Sequence, residues 1–292
     1  MCAVRRILVG TDFSAASRAA VERAAQLAAT HGAALSLVHA IDRAATHAAP
    51  RSLDSADPVA DASREERIRQ RLATLAASLA DRAHVDVAVH VESGAPARVI
   101  DAAARASGSS LVVVGSRADA TISGLGSTAA KVVRAPSCPV LTVRAAGPGA
   151  YERIVVATDL REGAARAAAF ALELFPSAHH RLLHALAPAP GVETSMEEES
   201  DELRARQQRR YEAAKARLQD LARQLSGTSV HPVEADVAED LPARAVLVYA
   251  ADLPADCVVI GHHAGQPDPE LILGSLAQHV IYSSLCDVLV VP

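Results

Sequence analysis

Short runs of Val, Ile and Leu alternate along the chain with Ala-rich segments whose apolar residues recur at helical spacing. In the first half, these runs predict strands over five segments: residues 5–11, 34–40, 85–91, 110–115 and 139–144. Continuous apolar runs of this length are typical of strands that are buried on both faces. The alternation of strands and helices therefore predicts an α/β fold, in which helices cover a parallel sheet.

Four helices are predicted between these strands. Ser14 is a suitable N-cap for a first helix that ends before Gly32, because its hydroxyl can accept a hydrogen bond from the first turn. The second helix is predicted over residues 64–83, where apolar side chains form one stripe. The third is expected to stop at Gly108 and the fourth before Pro136.

The second half of the chain repeats the first in the same order. "RRILVGTDFS" at 5–14 returns as "ERIVVATDLR" at 152–161, and "LVVVGS" returns as "CVVIGH", at an offset of roughly 145 to 148 residues. Such self-similarity indicates a duplication. We therefore predict two tandem domains, residues 1–146 and 150–292, each with five strands and four helices, joined near "RAAGPGAY".

Small polar segments that contain glycine follow the first and fourth strands of each half. In an open parallel sheet, ligands bind at the carboxyl ends of the strands where the strand order reverses. Backbone N–H groups at Gly115 and at the helix starts Gly126-Ser127 and Gly274-Ser275 are suited to an anion. Asp12 and Asp159 are suited to a ribose hydroxyl or an adenine amine. A purely structural interpretation stays open, in which the glycines make turns and the aspartates cap helices.

Composition excludes several classes of partner. The chain has no Trp, three Phe and a net charge of −5, which argues against base stacking and against an electrostatic grip on nucleic acid. No apolar run approaches the roughly 20 residues of a membrane span. The chain also enters its first strand without the layout of a signal peptide. We therefore expect a cytoplasmic protein that binds neither nucleic acid nor membrane.

These motifs together resemble the universal stress protein family, and the duplication resembles its tandem members. "RILVGTDFSAAS" matches the opening strand and its Asp loop, "LVHAI" the second strand, and "GS…CPVLTV" the last helix and strand. The resemblance implies two Rossmann-like domains, each a five-stranded parallel sheet of order 3-2-1-4-5 with four helices. It further implies that the domains pair through their fifth strands as a pseudo-dimer. A homodimer of such tandem chains is compatible with this arrangement.

The nucleotide-binding branch of that family has a loop of the form G, two residues, G, nine residues, G, then S or T. Carried over, its ligand contacts in the first half fall on Thr11, Asp12, Ala40, Gly115, Ala118, Gly126, Ser127 and Thr128. In the second half they fall on Thr158, Asp159, Ala185, Gly261, Ala264, Gly274 and Ser275.

Both loops depart from the family pattern. Ala118 and Ala264 each replace the second glycine, and the first loop is also two residues short. Arg117 favours phosphate binding by the first loop, whereas "QPDPE" makes the second loop acidic. Glu162 is also taken to stand in the second half where Ser14 stands in the first. The first half is therefore the better candidate.

The function implied is that of a stress-response regulator or sensor that binds ATP or another adenine nucleotide, with or without Mg²⁺, in at least one domain. No residue can be recognised from the sequence as a general base, so slow ATP hydrolysis is the most that we expect. The pairs His179-His180 and His262-His263 are adjacent residues that would point to opposite faces of a strand, so no metal site is predicted. The alternative is a nucleotide-free interaction scaffold with regulatory protein partners.

Overall fold

The computed structural model of the chain describes residues 4–42, 58–116, 124–144, 149–188, 201–227, 229–262 and 274–292. Contacts divide the chain into two compact units, Met1–Pro148 and Gly149–Pro292. Each unit is a parallel sheet with helices, and the predicted α/β fold is thus confirmed. Within the described residues, no helix is both long and apolar enough to cross a membrane.

The first unit contains five strands and four helices among its described residues. In chain order they are β1 (Arg6–Gly10), α1 (Ala15–His31), β2 (Ala34–Ile41), α2 (Pro58–Ala83), β3 (Val87–Ser93), α3 (Pro96–Ser107), β4 (Leu111–Gly115), α4 (Ser127–Arg134) and β5 (Val140–Val143). The sheet has the order β3-β2-β1-β4-β5, and every pairing is parallel. The direction of winding thus reverses between β1 and β4.

The second unit repeats this arrangement within its own described residues. Its elements are β6 (Arg153–Ala157), α5 (Glu162–Leu174), β7 (His179–Ala185), α6 (Asp201–Ser226), β8 (Glu234–Ala238), α7 (Pro242–Asp252), β9 (Cys257–Gly261), α8 (Ser275–Ser283) and β10 (Asp287–Val291). Its strands lie in the order β10-β9-β6-β7-β8, again all parallel. The reversal point therefore falls between β6 and β9.

Local sequence signals set the ends of α1. The Ser14 hydroxyl accepts a hydrogen bond from the Ser17 N–H at 3.2 Å, and Gly32 ends the helix in the left-handed region with φ 58°. The predicted first helix is confirmed at both ends. The prediction for α2 was wrong at its start, because that helix begins at Pro58 and not at residue 64. The proline suits the first position of a helix, where its missing N–H costs no hydrogen bond.

One close approach joins α1 to the sheet. A Cβ on Gly115 would lie 2.4 Å from the carbonyl oxygen of Ala16, which belongs to the first turn of α1. Backbone atoms cannot move aside as the tip of a flexible side chain can, so this position requires glycine. The start of α1 is thereby held against the carboxyl end of β4.

We predict that Gly115→Ala lowers the free energy of unfolding by about 1–3 kcal/mol, the usual size of an overpacking effect. Thermal unfolding followed by circular dichroism measures the change. Gly124→Ala is the matched control, because no described atom lies within 4 Å of a Cβ at that position. Equal melting temperatures for the two variants would show that α1 does not constrain Gly115.

Candidate functional site

A cavity of about 500 Å³ opens in the first unit at the carboxyl ends of β1, β2 and β4. It lies where the winding of the sheet reverses, the position expected for a ligand site in such a fold. The predicted site residues that line it are Thr11, Asp12, Ala40, Gly115, Gly126, Ser127 and Thr128. Two other predicted residues, Arg117 and Ala118, lie outside the described residues.

The loop after β1 forms one wall of this cavity. The Thr11 N–H donates to the carbonyl of Val38 at 2.9 Å, which ties the loop to β2. The chain then turns through Phe13, whose φ of 64° is uncommon for a side chain of that size. The Ser14 N–H closes the turn by donating to Oδ1 of Asp12 at 2.9 Å. The structural interpretation of Asp12 therefore holds in part, because one carboxylate oxygen supports the turn while Ser14 caps α1.

The Ser17 hydroxyl accepts two hydrogen bonds that hold this loop in place. It accepts from the Thr11 hydroxyl at 3.2 Å and from the Asp12 N–H at 3.3 Å. Partial burial opposes ionisation of Asp12, but hydrogen bonds from Ser14 and Ser17 outweigh it and hold its pKa below the usual value. Asp12 is therefore an anion at neutral pH and is suited to accept hydrogen bonds. Sequence reasoning missed Ser17, although "TDFSAAS" places it in the first turn of α1.

His39 supports the same loop from β2. Its Nδ1 lies 2.8 Å from the Thr11 carbonyl oxygen, and since a carbonyl only accepts, Nδ1 carries the proton. Burial lowers the pKa of His39 and outweighs the opposing effects of Thr11 and of the Asp12 charge. The His39 ring stacks on Phe13 with centroids 5.1 Å apart, and the guanidinium of Arg71 lies 4.1 Å from the Phe13 ring centroid. The unusual backbone at Phe13 is thus held by packing on its side chain.

The opposite wall of the cavity is the start of α4. Gly126 is its N-cap residue and has no side chain, so the N-cap itself offers no side-chain hydrogen bond to the first turn. Ser127, Thr128 and Ala129 of that turn line the cavity. The positive end of the helix dipole and its N–H groups therefore border the space, an arrangement that favours an anion.

Ser116 is a lining residue that sequence reasoning missed. Its N–H donates to the carbonyl of Val143 at 2.8 Å, which continues the pairing of β4 with β5. The residue is fully buried, with 0% exposure, and it lines the cavity. Its hydroxyl has no hydrogen-bond partner among the described residues. No sequence pattern distinguishes a buried serine after a strand from an exposed one, so the burial of Ser116 could be found only from the structure.

The second unit builds the same turn after β6. The Thr158 N–H donates to Leu183 at 2.9 Å, and the Arg161 N–H donates to Oδ1 of Asp159 at 3.0 Å. Leu160, like Phe13, has a positive φ of 62°. His184 contacts the Thr158 carbonyl through Nδ1 at 2.8 Å, as His39 contacts Thr11.

Side chains around that turn differ from those of the first unit. The residue at the N-cap of α5 is Arg161, so the expectation that Glu162 stands in the place of Ser14 was wrong, and Glu162 is in the first turn. The Arg161 side chain approaches the second carboxylate oxygen of Asp159 at 3.8 Å. Asp159 thus has a cationic neighbour from its own loop.

The remaining predicted residues of the second unit lie along one edge of its sheet. Ala185 and Gly261 end β7 and β9, while Gly274 precedes α8 and Ser275 begins it. Ala264 falls outside the described residues.

At the place of Ser116 the second unit has His262, which is 5% exposed and donates its N–H to Val291 at 2.7 Å. The Gly274 N–H in turn donates to the His262 carbonyl at 3.3 Å. In neither unit do the described residues include a group of three or more His, Cys, Asp or Glu placed to hold a metal ion.

Comparison with known proteins identifies the family to which this architecture belongs. The model of the universal stress protein family matches residues 3–144 and 150–292. A universal stress protein from Archaeoglobus fulgidus DSM 4304 is 20% identical, with a TM-score of 0.70 over 99% of this chain and 98% of that chain. A putative universal stress protein from Pseudomonas aeruginosa UCBPP-PA14 is also 20% identical, with a TM-score of 0.65 over 99% of this chain and 93% of that one. No curated protein matches the chain significantly.

We predict that the acid sensitivity of the fold depends in part on His39. Because burial lowers its pKa below the ordinary 6.5, the unfolded chain binds the proton more readily. The stability that His39 contributes is therefore complete above about pH 6.5 and is lost as the pH falls below that value. His39→Asn keeps a donor for Thr11 but does not titrate.

Melting temperatures measured from pH 7.5 to about pH 5 should therefore fall less for His39→Asn than for the wild type. Contributions from other groups are common to both proteins and cancel in the comparison. Parallel pH profiles would contradict the assignment of a neutral, partly buried His39.

Proposed function

Because the chain belongs to the universal stress protein family, we propose that its first unit binds an adenine nucleotide such as ATP in the cavity beside Asp12. The proposed role is that of a cytoplasmic stress-response regulator or sensor. The observation that carries the proposal is the cavity itself, which brings the Asp12 loop, the end of β4 and the start of α4 to one space. Its volume of about 500 Å³ lies within the usual range for small-molecule sites.

The cavity lining suits the three parts of a nucleotide. Val38, Ile100 and Val114 supply apolar surface for a base. The ionised carboxylate of Asp12 can accept hydrogen bonds from ribose hydroxyls or from the adenine amine. The start of α4, where the N-cap is a glycine, favours the negative charge of phosphates, which Mg²⁺ can accompany.

The contacts favour the first unit over the second. The carboxylate of Asp159 has Arg161 beside it at 3.8 Å, so a ligand would compete with that cation. The Gly274 N–H at the start of α8 already donates to His262. A buried imidazole also stands in the second unit where the first has the small side chain of Ser116. We therefore assign nucleotide binding to the first unit alone.

The lining supports binding more than turnover. Asp12 is the ionisable side chain among the described residues of the cavity wall. Its lowered pKa makes it a weak proton acceptor, and one of its oxygens already supports the turn. Any hydrolysis of the nucleotide would therefore be slow. The regulatory signal would then be the presence of bound nucleotide in the cavity.

The duplication supplies a matched pair of variants. Asp12→Ala and Asp159→Ala each remove the same turn-forming hydrogen bond, from Ser14 and from Arg161 respectively. The structural effects of the two changes should thus be similar. Asp12→Ala should also raise the Kd for ATP about tenfold or more, because a hydrogen bond to a charged group contributes about 1.5–3 kcal/mol.

Titration calorimetry with ATP and Mg²⁺ measures these affinities, and the melting temperature of the wild type should rise with ATP. Asp159→Ala should bind ATP as the wild type does. Equal weakening by both variants would assign sites to both units. If the wild type binds no ATP at millimolar concentration and its melting temperature does not move, nucleotide binding is rejected in favour of the interaction scaffold.

A further inference from the structure

A second cavity, of about 280 Å³, opens in the first unit between α3 and α4. Apolar side chains from both helices and from β4 and β5 form its floor, namely Ile100, Val112, Val132 and Val140. The volume is that of roughly nine molecules of liquid water, so a compact ligand of similar size can enter. Among the described lining residues, the two cavities share only Ile100, so the second cavity is a separate site.

Two cationic side chains border the rim of this second cavity. Arg98 of α3 and Lys131 of α4 line it, and both residues are exposed. Neither side chain has a hydrogen-bond or ion-pair partner within the described part of the chain. Such side chains lay their carbon chains on apolar surface and keep the charged group in water. The rim therefore offers two positive charges that a bound anion can pair with.

The second unit shows what the equivalent arginine does when a carboxylate is near. Arg98 is the third residue of α3, and Arg244 is the third residue of α7. The Arg244 guanidinium pairs at 3.2 Å with Asp240, which lies two residues before α7. Gly94 has the same place before α3 and carries no side chain. Arg98 thus lacks the carboxylate that its counterpart binds, and the carboxylate of a ligand can take that place.

The rest of the wall limits the charge that a ligand can carry. Asp101 also lines the cavity, where its carboxylate pairs with Arg105 at 2.9 Å. Burial, assisted by the charge of Asp101, raises the pKa of the Cys138 thiol on the same wall to about 11. This thiol is neutral at neutral pH and adds polarisable surface. A monoanion satisfies the rim without bringing further negative charge towards Asp101.

We propose that the second cavity binds a small monocarboxylate with an apolar tail, such as a short-chain fatty acid. Its carboxylate pairs with Arg98 and Lys131 at the rim, and the planar guanidinium suits the planar carboxylate. Its tail covers the apolar floor. The site lies beyond the proposed function, because it requires no nucleotide and uses a different cavity.

Hexanoate is a suitable probe for this site. With about eight non-hydrogen atoms it matches the volume of the cavity, and we expect a Kd on the order of 1 mM. Hexylamine has a tail of the same length but is a cation at neutral pH, so it should not bind beside the two cations of the rim. Ligand-observed NMR titrations of the full chain measure both affinities.

Two variants test the role of the rim. Arg98→Gln and Lys131→Gln each change an exposed side chain, so both should fold as the wild type does. Each should raise the Kd for hexanoate about threefold, the effect of losing one exposed ion pair. Arg244→Gln is the matched control, because it removes the equivalent arginine of the second unit and should leave the hexanoate affinity unchanged.

Alkylation of the cysteines locates the bound probe. Cys138 lines the cavity, and Cys286 has the equivalent place in the repeat, where "CDVLVV" answers "CPVLTV". Both thiols are free and partly exposed. Hexanoate should slow the reaction of Cys138 with iodoacetamide and leave that of Cys286 unchanged, as measured by mass spectrometry of the peptides.

Four results would each overturn the proposal. Equal binding of hexylamine and hexanoate would show that the rim cations take no part. Unchanged hexanoate affinity in both Arg98→Gln and Lys131→Gln would place the carboxylate elsewhere. Equal rates of Cys138 alkylation with and without bound hexanoate would place the whole ligand elsewhere. Lack of saturable hexanoate binding at millimolar concentration would reject the site, while leaving the nucleotide proposal untouched.

Discussion

The contact between the first turn of α1 and Gly115 is the constraint on which the site depends. A Cβ on Gly115 would lie 2.4 Å from the Ala16 carbonyl oxygen, so the helix can start where it does because glycine ends β4. The chain must then leave β1, turn through Phe13 and enter α1 within a few residues. Ser17 lies in that first turn and holds both Thr11 and Asp12 through its hydroxyl. Packing at Gly115 thus positions Asp12 at the mouth of the cavity.

Duplication has kept this backbone framework and varied the side chains around it. Both units have the Thr-Asp turn, a residue with positive φ, and a histidine whose Nδ1 supports the threonine carbonyl. The differences are local, with Arg161 in place of Ser14 and His262 in place of Ser116. Arg161 beside Asp159 and the imidazole of His262 change the lining of the crevice in the second unit, while the sheet stays the same. The two crevices therefore have different linings on the same framework.

Much of the fold follows from the sequence because its signals are local. Ser14 and Gly32 mark both ends of α1, and the apolar runs identify the strands of the first half closely. The start of α2 at Pro58 was missed because the apolar stripe that predicted the helix begins only at Ile68, further along the chain. The order of strands required the family resemblance, since hydrophobic pattern alone does not say which strands pair.

The candidate site was predictable to a lesser degree. Glycine and aspartate after buried strands identified one edge of the sheet, and the repeat identified it twice. The burial of Ser116 was not predictable, because it depends on pairing with Val143 and on packing of the neighbouring elements. Glu162 was assigned to the place of Ser14 although the repeat itself aligns Ser14 with Arg161, the N-cap of α5.

The central claim is that an adenine nucleotide occupies the first unit at the Asp12 loop and the start of α4. Hydrogen–deuterium exchange with and without saturating ADP tests it most directly, because it reports on each segment of the intact chain. We expect slower exchange over residues 10–17 and 124–129, and no change over residues 157–164 and 274–277. Slower exchange over residues 157–164 and 274–277 in place of the first two segments would contradict the claim. Unchanged exchange over all four segments would contradict it too.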